Sequence, residues 1–103
     1  MAQKNYAGVP VDITDEGYMT NANQWNKEIA LEIAKELDLT LTDKHFQVIE
    51  FIREKTLKGE GLTIRAIGKS GIVDIKGFYE LFPGAPLKLA SKIAGIPKPA
   101  SCV

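Results

Sequence analysis

Among the side chains of this 103-residue sequence, Cys102 and His45 have the broadest chemistry, as nucleophile, base or soft-metal ligand, and each residue type occurs once. Their number limits that chemistry. A single cysteine excludes an internal disulfide and any cysteine-cluster zinc site. A single histidine argues against a His-rich metal site and against a Ser-His-Asp triad, so neither metal nor cofactor is expected. A thiol reacts as its thiolate, and an ordinary one is only a few per cent ionised at neutral pH. The carboxylate of Val103 next to Cys102 opposes ionisation and Lys98 partly offsets it. With no base nearby, the thiol suits a carrier that becomes reactive inside a partner's site better than a self-sufficient cysteine hydrolase. His45 falls in the first turn of a helix, where a capping, partly exposed structural role is the simplest reading.

Many single cysteines are small buried hydrophobes. The surroundings of Cys102 point the other way. It is the penultimate residue of the stretch Ile96-Pro97-Lys98-Pro99-Ala100-Ser101-Cys102-Val103, whose alternate prolines forbid helix and favour an extended arm. From Gly95 the arm reaches roughly 23–25 Å at ~3.3–3.6 Å per residue, enough to enter another protein's cleft. Pro97 and Pro99 stiffen it and lower the entropy lost on insertion.

The elements that must carry this arm follow from periodicity. Val9, Val11 and Ile13 alternate with Pro10 and Asp12 as a half-buried strand, Thr14-Asp15-Glu16-Gly17 supplies a turn, and Tyr18-Met19 is expected to return as the second strand of a hairpin. Trp25, Ile29, Ile33 and Leu37 recur every four residues, predicting an amphipathic helix over 24–37. Thr42 caps a second helix with Phe46, Ile49, Ile52, Phe51 and Leu57 on its buried stripe, ended by Gly59-Glu60-Gly61. Thr63 caps Ile64–Lys69, Asp74 caps Ile75–Leu81, and a last helix starts at Pro86 and stops at Gly95. The expected fold is α+β but mostly α: a small orthogonal helical bundle with an N-terminal β-hairpin, a helix-turn-helix-like pair and a flexible C-terminal arm. Residues 1–95 form the domain and 96–103 the mobile arm. Trp25, Tyr79 and Phe82 are expected as core aromatics.

Composition narrows the partners. Thirteen Lys and Arg balance thirteen Asp and Glu, so no global field draws the chain to nucleic acid or an anionic membrane. The helix pair over Leu62–Phe82 resembles a helix-turn-helix, but a sequence pI near 6.6 lacks the basic stripe that DNA binding needs. No apolar run approaches ~20 residues and the start lacks a signal-peptide stretch, so a cytoplasmic location is expected.

The string Lys92-Ile93-Ala94-Gly95-Ile96-Pro97-Lys98-Pro99 followed by Cys102-Val103 closely resembles the C-terminal signature of the DsrC/TusE family. Upstream, Asp15-Glu16-Gly17-Tyr18, Gln24-Trp25 and Tyr79-Glu80-Leu81-Phe82-Pro83 with Gly84 and Pro86 stand in the family's order. The resemblance implies a sulfur-relay protein whose Cys102 carries sulfane sulfur as a persulfide, a sulfurtransferase-type carrier rather than a self-sufficient enzyme. Its implied partners are a sulfur-donor protein complex and an acceptor enzyme, namely a tRNA thiolase in TusE-like members or dissimilatory sulfite reductase in DsrC proper. Neither a membrane nor direct nucleic-acid contact is implied. DsrC proper uses a second arm cysteine, and Ser91 stands at the matching position. Serine cannot form a disulfide with Cys102, so the resemblance favours a single-cysteine, TusE-like carrier or a regulatory DNA- or protein-binding paralogue. It also makes Lys92, Gly95, Pro97, Lys98 and Pro99 the arm and docking residues. Lys88, with Arg65 if its helix packs beneath the arm, extends either a solvated face or a cationic collar around the arm's root.

Overall fold

The computed structural model describes residues 2–60 and 63–97. Strands β1 (Ala2–Tyr6) and β2 (Val9–Ile13) pair antiparallel, Ala2 opposite Ile13 and Tyr6 opposite Val9. Between them Ala7 (φ 53) and Gly8 (φ 78) both take positive φ, the signature of a two-residue type I′ turn. The strand expected at Tyr18-Met19 is reduced to a single Ile13–Met19 bridge; the principal partner of β2 is the preceding segment. That segment, Ala-Gln-Lys-Asn-Tyr, shows no apolar alternation because the described part of it buries only Tyr6. The Thr14–Gly17 turn does form, with Gly17 at φ 90 and its N–H bonded to the Thr14 carbonyl at 2.9 Å. Pro10 sits opposite Asn5 in a two-stranded ribbon, where no third strand needs its missing donor.

Five helices follow: α1 (Lys27–Glu36), α2 (Asp43–Leu57), α3 (Ile64–Gly68), α4 (Ile75–Leu81) and α5 (Pro86–Ile93). Helix α1 begins later than the period-four pattern implies. Asn21 caps a 3-10 turn over Ala22–Gln24, and Asn26 caps α1 by accepting from the Ile29 N–H at 2.8 Å. Two side-chain caps five residues apart leave Trp25 between them in extended geometry (φ −80, ψ 146), so its ring is not part of the helix stripe.

Thr42 caps α2 through a reciprocal box in which its Oγ accepts from the His45 N–H and His45 Nδ1 accepts from the Thr42 N–H. His45 Nε2 then lies 2.8 Å from the Leu81 carbonyl, which the Nε2–H tautomer satisfies. The capping role holds, but the side chain is buried, edge-on to Phe82.

Helix α5 packs against α1, α2 and α4, while α3 packs principally on α4 and the hairpin lies on α1. Its Leu87, Ala90 and Ile93 meet Ile29, Ile33, Val48, Ile49, Ile52, Phe78 and Phe82 in one core. Leu57 and Tyr79, expected inside, are exposed. On α4 the inward face is taken by Phe78, stacked edge-to-face on Phe82, which turns Tyr79 outward beside Ile75. The hairpin is tied down by Glu36, which accepts from the Tyr6 hydroxyl at 2.9 Å and pairs with Lys4 at 2.6 Å.

Candidate functional site

Cys102, Lys98 and Pro99 lie outside the described residues, as does Gly61 at the expected end of α2. What the structure does describe is the platform these tail residues leave from, the C-terminal end of α5. A helix leaves its last four carbonyls without intrahelical partners; here they belong to Ser91, Lys92, Ile93 and Ala94. Gly95 turns the chain at φ 67, its N–H donating to the Lys92 carbonyl at 3.2 Å, while the Ile96 N–H donates to the Ser91 carbonyl at 3.3 Å. This is a Schellman motif, with the buried Ile96 supplying its apolar contact. Ile96, read as the arm's first residue, therefore packs with the domain, and Pro97 is the first exposed residue after it.

Two distant side chains complete the set. Trp25 Nε1 donates to the Ile93 carbonyl at 2.7 Å. Arg53, from α2, donates through Nη1 to the Ala94 carbonyl at 2.8 Å and through Nη2 to the Ala22 carbonyl at 3.0 Å. Its guanidinium lies 4.2 Å over the Trp25 ring, within cation–π range. The fork of the guanidinium is what allows one side chain to tie the Trp25 segment to the end of α5. Burial lowers the Arg53 pKa from its ordinary value, yet that value is so high that the group keeps its charge at neutral pH.

Gly95 is required twice over. Its positive φ favours glycine, and a Cβ there would stand 2.8 Å from Trp25 Cγ and 2.9 Å from Met19 Sδ, closer than real side chains sit. The quoted pair Gln24-Trp25 has a plain physical role. Gln24 accepts from the Asp12 N–H at 2.9 Å and donates to its carboxylate at 3.2 Å, which fixes the residue before the indole to β2.

Of the sequence-read cations, Lys92 lies in the last turn of α5, where positive charge suits the helix dipole. Its Nζ sits 5.4 Å from the centre of the Tyr18 ring and its stem passes Gly17. Lys88, one turn earlier, is exposed. Arg65 is exposed on α3, and among the described residues no side-chain hydrogen bond or ion pair joins it to this end of α5. Ser91 is fully buried, its Oγ without a hydrogen-bond partner among the described residues.

The sequence pattern does not single out Arg53 for this site, and it offers Trp25 as a core aromatic on the helix stripe and as part of the family-order pair with Gln24. The available signal was that Arg53 follows Ile49 by four residues, on the apolar side of α2. Among the described residues no helix is long and apolar enough to cross a membrane.

The chain's sequence and fold have clear relatives. A family model described as "DsrC like protein" matches residues 5–103. The sulfurtransferase TusE of Photorhabdus laumondii is 37% identical over 107 aligned positions, covering 95% of this chain and 96% of that one. The solution structure of Allochromatium vinosum DsrC superposes with a TM-score of 0.81 at 34% identity, covering 98% and 97% of the two chains. The crystal structure of the oxidised gamma subunit of dissimilatory sulfite reductase from Archaeoglobus fulgidus gives 0.82 at 27% identity, covering 99% and 100%.

Proposed function

Since the chain belongs to the DsrC-like family, we propose that it is a sulfur-relay protein that receives sulfane sulfur on Cys102 and passes it to a partner protein. The Cys102 thiolate attacks the outer sulfur of a donor persulfide, that S–S bond breaks, and the donor leaves as a thiolate. Cys102 then carries a persulfide, whose terminal sulfur is taken by an acceptor nucleophile as the Cys102 thiolate departs. Sulfur moves with no net oxidation, so no cofactor is needed. The donor is a persulfide-bearing sulfurtransferase complex and the acceptor a thiolating enzyme of the kind that modifies tRNA.

The observation that supports this reading is a family match over nearly the whole chain whose sole cysteine lies five residues beyond Pro97. In it, residues beyond Pro97 form the arm, Lys92 and Lys98 guide docking with Lys88 beside them, and Pro97 and Pro99 limit the arm's bending. A role like that of the sulfite reductase gamma subunit is the alternative. Ser91 argues against it, having no thiol to join to Cys102, and the hydroxyl is buried besides. Incubation with the persulfidated donor complex, followed by mass spectrometry of the intact chain, should add one sulfur atom that is lost on reduction and never appears in Cys102→Ser. A chain that gains no sulfur would refute the reading.

A further inference from the structure

We infer that Trp25 and Arg53 are positioning residues that lock the end of α5, so that the chain leaves the domain at Pro97 in one fixed direction. The inference rests on the sulfur-relay reading for its purpose, but the geometry stands apart from it.

The backbone alone accounts for the Ser91 and Lys92 carbonyls. The Ile93 and Ala94 carbonyls, the last two of the four at the helix end, are held by side chains 68 and 41 residues away in sequence. Water can satisfy such carbonyls at a helix end, as it must wherever no side chain reaches them. Here a half-buried guanidinium is held at a desolvation cost instead. Gly95 is pressed against the indole so closely that no Cβ fits, and Ile96 is buried. Three supports from three parts of the chain (Trp25 after the 3-10 turn, Arg53 of α2, and Met19) thus converge on three consecutive residues, Ile93, Ala94 and Gly95. Rotation about the Ala94–Ile96 backbone would break the Arg53 hydrogen bond to the Ala94 carbonyl or drive Gly95 into the ring.

Cys102 being the only cysteine makes the test direct. A nitroxide attached there broadens the amide NMR signals of whatever the tail's end visits. In the unaltered sequence the broadening should fall on one side of the domain. In Arg53→Lys, which keeps a charge but loses the fork, and in Trp25→Phe, which keeps a ring but loses the donor, it should spread over several faces. Sulfur transfer from the persulfidated donor complex should fall by on the order of tenfold, since small misplacements of reacting groups cost that much or more. The reaction of Cys102 with a small thiol reagent should keep its rate. Variants that lower the melting temperature yet leave the broadening pattern unchanged would overturn the inference, as would a diffuse pattern in the unaltered chain. If the unaltered chain accepts no sulfur, the relay reading fails while the broadening pattern still decides the positioning role.

Discussion

Helices α2 and α5 end in the same backbone motif and use it differently. After α2, Gly59 takes φ 75, its N–H bonds the Thr56 carbonyl at 3.0 Å, and the Glu60 N–H bonds the Lys55 carbonyl at 3.0 Å. After α5, Gly95 and Ile96 repeat the pattern on Lys92 and Ser91. Around Gly59 a Cβ would meet nothing within 4 Å, whereas at Gly95 it would collide with Trp25 and Met19. Glycine at the first site serves only a torsion angle. At the second it also lets backbone and aromatic ring touch. A shared local motif therefore says how the chain turns, and the surrounding contacts say whether that turn is merely a stop or a fixed mounting.

The sharpest way to break this comparison is alanine at each glycine. Gly59→Ala should cost only the left-handed penalty, about 1–2 kcal/mol. Gly95→Ala should add an overpacking cost of about 1–3 kcal/mol to the same penalty. Thermal unfolding of the two variants checks the difference, and equal losses would mean that the ring gives way freely. A smaller effect separates the cations. Arg53→Met leaves the Ala94 and Ala22 carbonyls without their donor and should lose about 1.5–3 kcal/mol. Lys58→Ala, at the open end of α2, should leave the melting temperature unmoved because its Glu54 pair is fully exposed.

An effect smaller than that of Arg53 lies on the hairpin. The Lys4 ammonium holds the Glu36 carboxyl below its usual pKa, so this contribution is present above the carboxylate's unfolded value and is lost as pH falls through the lower folded one. Because the pair is about half exposed, it is worth under ~1 kcal/mol. The melting temperature of Glu36→Gln should fall below that of the unaltered chain at neutral pH and converge with it in acid.

Much of this was legible in the sequence, for identifiable reasons. Thr42, Thr63 and Asp74 all cap the helices they precede, because a side-chain acceptor before a periodic run acts within three residues. Gly95 as the stop of α5 was equally local. Strand β1 was not legible, since its described part offers one buried side chain and no alternation. Trp25 misled because its spacing of four from Ile29 matched the helix stripe, while the competing caps at Asn21 and Asn26 decided the backbone. Arg53 could not be assigned from neighbours, as its partners lie 31 and 41 residues away.

A mounting held at Pro97 has a consequence for any molecule that takes sulfur from this one. Cys102 lies five residues beyond Pro97, so covalent geometry keeps its Cα within roughly 18 Å of a single point on the surface, and the sulfur only a side chain further. An accepting atom has to come inside that radius. The depth of a partner's pocket, and how snugly its rim seats against α5, are thereby bounded before any affinity is considered.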